Sequence, residues 1–154
     1  MSLQRHKAIV PLSRHHHHAL ALVLKIRKAG PEAGPETVEA LKRELQHFWE
    51  TGGQQHFREE EEILLPAYAR YADIDRREIV EMLLEHVKIR SLVGSIESAK
   101  DDALPLIREL GDLLEKHVRL EERVIFPLIE AAIPEAMLME LAPYFHEGDA
   151  GCRL

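Results

Sequence analysis

The sequence has 154 residues, a length that fits one domain with its own hydrophobic core, so we expect a single domain over residues 1–154. Asp and Glu (27) outnumber Lys and Arg (20), which gives a net charge of −7. No basic excess is available to displace the counterions of a polynucleotide, and we therefore expect no nucleic-acid partner. Only 5% of the residues are aromatic. This composition favours helices over sheets.

The cysteine content and the hydropathy pattern bear on the compartment. Cys152 is the single cysteine, so it cannot form an internal disulfide, and a reducing compartment is expected. The most apolar stretch, residues 124–142, carries three glutamates and two prolines, so we expect no membrane span. The N-terminus lacks an apolar signal core. Together these features predict a cytoplasmic protein.

Helical periodicity, interrupted by short runs of Pro, Gly or Asp, predicts four long helices. Gly52-Gly53 is a weak point or kink within the second helix, and Ser13 is a possible cap of the first. The expected bounds are about 12–28, from Pro35 to about 71, from Asp73 or Asp75 to about 100, and from Asp101 or Asp102 to about 132.

The connections between these helices contain only a few residues, and no segment shows sustained strand alternation. Short connections between long helices favour antiparallel neighbours. We therefore predict an all-α fold, an up-down-up-down four-helix bundle over about residues 12–132. A short C-terminal extra helix, from Pro134 to about 142, and a polar tail would occupy residues 133–154.

One motif occurs twice, on the second and fourth predicted helices. His56 and His117 are each followed four residues later by a glutamate, Glu60 and Glu121, and then at once by a second glutamate. Three apolar residues and a proline, ten residues after the histidine, complete both copies. Residues at i and i+4 share one face of a helix, so an imidazole and a carboxylate so placed can bind the same metal ion.

Each predicted helix places a histidine on its apolar stripe, at His16, His56, His86 and His117. A buried carboxylate or imidazole needs a partner, and a cation supplies one for both at once. Any one of these residues alone could equally be a satisfied core histidine or a solvated glutamate. The complete set favours a metal site.

At these residues the chain resembles the hemerythrin-like, or HHE cation-binding, domain family over about residues 12–127. The resemblance implies two non-haem irons, bridged by two glutamates, and a small diatomic or peroxide ligand. Mixed imidazole and carboxylate donors suit iron or manganese, and the lack of thiolates argues against a structural zinc site, although Mn or Zn could substitute. The metal ligands implied by the resemblance are His16, His56, Glu60, His86, His117 and Glu121, of which Glu60 and Glu121 would bridge.

The sequence departs from the oxygen carriers of this family at one position. Their third helix offers His-x-x-x-His, whereas here His86 is followed at i+4 by Arg90, which cannot bind a metal ion. One iron would therefore lack an imidazole. Its place could be left vacant or taken by water, by a flanking histidine, or by a nearby carboxylate among Glu59, Glu85 and Glu122.

The other histidines give weaker signals. We expect His16, rather than His17, to face the bundle axis, with His15 and His18 exposed or adjacent to the ligands. His47 is expected on the surface. His6 and His146 are expected to be solvated, unless a terminal segment folds over the end of the bundle. In the run from Glu59 to Glu62, Glu60 should point inward, and Glu59 is the one other candidate.

The first functional hypothesis is a module that binds or senses oxygen, iron or a related small ligand. The alternative is a diiron oxidase or peroxidase that acts on peroxide or oxygen. None of the six expected ligands lies in the Glu-x-x-His pair of ferritin-like enzymes, which argues against that class. A metal-free helical interaction module would leave the buried histidines and glutamates unexplained.

Overall fold

The computed structural model describes residues 4–146, and Cys152 with the last part of the tail lies outside them. Two of its long helices contain π turns, at Trp49–Gly53, Glu60–Leu64 and Glu121–Ile125. The uninterrupted helices are α1 (Val10–Ala29), α3 (Arg77–Ser98) and the short α5 (Glu135–Leu141). Helix α2 consists of Pro35–Phe48, Gln54–Glu59 and Leu65–Ala69, with the first two π turns between them. Helix α4 consists of Leu104–Leu120 and Phe126–Ala132, with the third π turn between them.

The four long helices form the predicted up-down-up-down bundle, followed by the predicted short extra helix α5. Helix α1 packs against α2 and α4, and α3 packs against the same two helices from the other side. No strand occurs within residues 4–146, so the all-α prediction is confirmed. In the same range no helix is long and apolar enough to cross a membrane.

Local chemistry sets the helix ends. Prolines occupy the first turns of α1, α2 and α4, where a missing N–H costs nothing. Gly30 ends α1 with φ 74°, a backbone conformation that glycine adopts without strain. The expected cap of α3 is wrong: the Asp73 carboxylate instead accepts the Asp75 N–H within the loop, and α3 begins only at Arg77. Gly52-Gly53 does not break α2 but lies in its first π turn.

The hydrophobic core consists of two clusters at different heights in the bundle. One contains Ala19, Phe57, Ile89 and Leu114 with their neighbours. The other, toward the α5 end, contains Leu12, Leu64, Met82, Ile125 and their neighbours. On every long helix the expected histidine stands between a member of one cluster and a member of the other. A layer of buried polar side chains therefore separates two apolar clusters.

Candidate metal centre

The polar layer contains all six residues expected to bind metal, and the structure brings them together in two groups. His16 and His56 form one group with Glu60 and Glu121. His86 and His117 form the other with the same two glutamates. Within each group the four candidate ligand atoms lie within 4.8 Å of one another. We call these groups the 16/56 pair and the 86/117 pair.

Each shared carboxylate turns one oxygen toward each pair. Oε1 of Glu121 faces His16 and His56, while its Oε2 faces His86 and His117. Oε2 of Glu60 faces His56 and its Oε1 faces His86. The shortest nitrogen–oxygen distance at each imidazole Nε2 is 2.8 Å for His16, 3.2 Å for His56, 3.3 Å for His86 and 3.0 Å for His117. This is the arrangement that two bridging carboxylates require.

Many of these donor atoms have no hydrogen-bond partner in the described part of the chain. All six side chains are buried, with Glu60, His86 and Glu121 completely shielded from solvent. Buried polar atoms are nearly always hydrogen-bonded, so an unpaired cluster needs an explanation. Within the described chain, the atoms of this cluster without a hydrogen-bond partner are both ring nitrogens of His56, Nε2 of His86 and His117, both carboxylate oxygens of Glu60, and Oε2 of Glu121. Because all of these atoms except Nδ1 of His56 are metal donors that face one another, the site fits one or two cations.

The repeated motif has the same local structure in both copies. The His-to-Glu step of each copy is regular α-helix, which places the two side chains on one face. A π turn then begins at the glutamate, closed by hydrogen bonds from the Leu65 N–H to the Glu60 carbonyl and from the Phe126 N–H to the Glu121 carbonyl. The next residue in each copy is the motif's proline, which has no N–H and crowds the preceding turn. Such π turns occur frequently at functional sites.

Three of the four imidazoles have a carboxylate within hydrogen-bond distance of Nδ1, the ring nitrogen that faces away from the centre. Nδ1 of His16 lies 2.7 Å from Glu122, and Nδ1 of His86 lies 2.6 Å from Glu61. Nδ1 of His117 lies 3.0 Å from Glu85. A carboxylate in this position fixes the ring and leaves Nε2 as the donor to a metal.

The second glutamate of each motif is explained by these contacts. Glu61, on α2, holds the histidine of α3, and Glu122, on α4, holds the histidine of α1. The sequence carried this signal as the repeated Glu-Glu pair, but its partner helices could not be read from the spacing.

Arg90 stands outside both groups and supports one of these carboxylates. Its guanidinium binds Glu61 through two hydrogen bonds, of 2.8 and 3.0 Å, and lies 5.6 Å from the centre of the Phe57 ring. Burial raises the pKa of Glu61, but the hydrogen bonds from His86 and Arg90 outweigh it and hold that pKa at about 2. Glu61 is therefore ionised when it contacts His86.

The carboxylates considered as replacements for the missing histidine have other partners. Glu85 contacts His117 and Glu122 contacts His16. Glu59 is buried, as the sequence allowed, but it accepts hydrogen bonds from the backbone N–H of His146, at 2.8 Å, and contacts the ring of that residue. None of these three belongs to either metal-binding group.

The paired carboxylates also set the protonation of the imidazoles. Burial alone lowers the pKa of a histidine, but the neighbouring carboxylates outweigh it here. They raise the pKa of His56 to about 10, of His86 to about 11 and of His117 to about 9. Without a metal ion, protonated imidazoles therefore balance the negative charge of the glutamates. A metal ion must displace these protons to bind.

The other histidines lie in surroundings that differ from one to the next. His146 is half-buried against Glu59 rather than solvated, and the ring of His6 contacts Glu135. His15 is buried, the second of the two alternatives considered for it, and its ring stacks on His56 with the centroids 5.0 Å apart. His17 and His47 are exposed, in agreement with the sequence.

The bundle and its two histidine–glutamate groups define a helical cation-binding protein. The family model for the hemerythrin HHE cation binding domain matches residues 8–129, and the chain belongs to this family. The match includes residues of all four long helices and confirms the resemblance inferred from the repeated motif. No curated protein and no solved structure matches the chain.

Proposed function

We propose that the protein holds two non-haem irons between its helices and binds or senses a small diatomic or peroxide ligand there. The observation that carries this proposal is the pair of four-residue groups that share two buried carboxylates. One iron would be bound by the 16/56 pair and the other by the 86/117 pair. Glu60 and Glu121 would bridge them.

The donor set supports iron over zinc. Each group offers two imidazole nitrogens and two carboxylate oxygens. Iron and manganese accept such mixed donors at about six positions, whereas structural zinc prefers about four, commonly with thiolates. Four protein donors would leave iron open positions for water or a small ligand. Bound iron would supply reversible one-electron chemistry and affinity for that ligand.

The surrounding residues contribute orientation and shielding. Glu61, Glu85 and Glu122 hold the rings so that Nε2 points into the centre, and the two apolar clusters exclude bulk water from above and below. A small cavity lined by four histidines and by apolar side chains also lies beside the centre, and it offers room for a small ligand. The oxidase or peroxidase alternative is the second candidate. The cytoplasmic location and the lack of a nucleic-acid partner stay predictions from composition.

The test is the metal content of protein purified from iron-replete cells, with optical spectra recorded with and without oxygen. We expect about two irons per chain and a spectrum that changes when oxygen, nitric oxide or azide is added. Single alanine substitutions of the ligand histidines should each lower the iron content. Glu62→Gln is the matched control, because Glu62 is exposed on the same helix as Glu60.

The same samples separate the two candidate functions. Slow or absent peroxide consumption together with reversible spectral changes supports binding or sensing, whereas sustained peroxide turnover supports the enzyme. Iron content at background level in the wild-type protein would contradict both.

A further inference from the structure

Two cavities of very different size lie next to each other on the α1–α2 side of the bundle. The outer one is a surface cleft of about 520 Å³ between α1 and α2. The inner one has a volume of about 10 Å³, which is room for about one water-sized molecule. His15 and Phe48 line both of them.

The inner cavity reaches the metal-binding residues of both pairs. His16 and His56 line it together with His117. Its remaining wall is mostly apolar and includes Phe57 and Leu114. A molecule in this cavity would therefore lie against both halves of the centre in a largely water-free environment.

His15 is packed closely where the two cavities meet. Its ring stacks on His56, and its centroid lies 5.8 Å from that of Phe48. A Cβ atom at Gly52 would lie only 2.1 Å from Nε2 of His15, so the ring occupies space that only a glycine leaves open. The first π turn of α2 thus leaves the space that the His15 ring fills.

We propose that small ligands reach the centre from the outer cleft by passing between His15 and Phe48, and that this pair selects them by size. The proposal rests on the proposed function, since it needs a ligand that binds at the metal centre. The ligands concerned are small, such as nitric oxide, peroxide or azide, and a ligand of two or three heavy atoms would extend beyond the inner cavity toward the metal-binding residues that line it. Larger molecules would enter the outer cleft but would not pass between His15 and Phe48.

The test measures the rates at which azide binds to and leaves the iron-loaded protein, by stopped-flow absorbance. In His15→Ala both rates should rise about tenfold, which corresponds to a barrier lower by about 1.4 kcal/mol. Because both rates change by the same factor, the Kd and the iron content should stay at wild-type values. A bulkier anion, thiocyanate, should gain more in rate than azide.

Two further variants distinguish a passage from other roles of His15. His15→Phe keeps a ring of similar size and should keep the slow wild-type rates with full iron content. His17→Ala is the matched control, since His17 is exposed in the same run of histidines. Loss of iron in His15→Phe would make His15 a metal ligand and would overturn the passage.

The failures of the two proposals are distinguishable. Wild-type protein that holds iron but binds no azide would overturn both the small-ligand function and the passage. If azide binds the wild type and both rates are unchanged in His15→Ala, only the passage is overturned.

Discussion

The two halves of the centre have the same donors but different supports. Both imidazoles of the 86/117 pair are held by carboxylates, and Phe57 stacks on His86 with the ring centroids 3.9 Å apart. In the 16/56 pair only His16 has such support. Nδ1 of His56 is buried with no hydrogen-bond partner in the described chain, and the ring of His15 lies against it.

This difference has a physical consequence for metal and ligand binding. Fixed rings lose less freedom when a metal ion binds, so the 86/117 pair is the more preorganised half. The cleft between α1 and α2 lies beside the less supported half. The half nearer solvent is thus the one with room for adjustment, and the half beside Arg90 is the more rigid one.

The largest effect should come from one of the two glutamates that belong to both halves. Glu121 faces all four histidines, so Glu121→Gln should reduce the iron content from about two to near zero per chain. The measurement is elemental analysis after reconstitution, with Glu122→Gln as a neighbouring comparison that retains the bridge. Retention of one full equivalent of iron in Glu121→Gln would show that one half binds metal without the bridge.

The next effect is the pH dependence, because metal ions and protons compete for the same imidazoles. Below the raised pKa values of about 9 to 11, each imidazole must lose its proton to bind metal, so affinity should rise with pH. Each proton released changes the apparent affinity about tenfold per pH unit. Titrations between pH 6 and 8 test this, and an affinity that is constant over that range would contradict it.

The metal-free protein should show the opposite trend. A histidine whose pKa is raised by folding stabilises the fold fully below its unfolded pKa, and this contribution is lost as pH rises through the folded pKa. The metal-free protein should therefore melt at a lower temperature at pH 10 than at pH 7. Thermal unfolding followed by circular dichroism provides the measurement, and loading with metal should reduce the difference.

A smaller effect should follow from removing the support of one half. Glu61→Gln should weaken metal binding by about 10- to 100-fold, the usual result of losing a carboxylate behind a metal-binding histidine. Competition with a chelator should show the loss in one of the two binding steps only. Glu62→Gln is the control. An equal loss in both steps would mean that the halves are not independent in the way their supports suggest.

The smallest effect is expected from Arg90→Lys. Lysine keeps the positive charge beside Glu61 but cannot make the two parallel hydrogen bonds of a guanidinium. We expect affinity to fall by less than about tenfold, below the effect of Glu61→Gln. The same chelator competition provides the measurement. A loss as large as that in Glu61→Gln would mean that Arg90 itself, rather than Glu61, holds the 86/117 half.

The bundle and the proximity of the six residues could be predicted because both follow from one-dimensional periodicity. A histidine on each apolar stripe must reach the bundle axis, and a glutamate one turn later shares its face. The contacts of Glu61 and Glu122 could not be predicted, since they depend on which helices are neighbours and how each is rotated.

The burial of His15 could not be predicted for a related reason. Adjacent residues differ by about 100° around a helix, so His15 and His16 face different neighbours. Because α1 packs between α2 and α4, both directions are buried, His15 toward α2 and His16 toward α4. The starting point of α3 was missed because Asp73, a frequent capping residue, bonds within its own loop.

The polar layer between the two apolar clusters also affects how cooperatively the protein unfolds. Each cluster packs within itself, and the buried histidines and glutamates lie between them. Without metal, the two clusters are joined only through the hydrogen bonds and ion pairs of this layer, so we expect the cluster around Leu12, Leu64 and Met82 to open while the other stays folded. We expect a metal ion bound to residues from all four helices to join the clusters into one cooperative unit. Amide hydrogen exchange would then slow at both ends of the bundle together when metal is added.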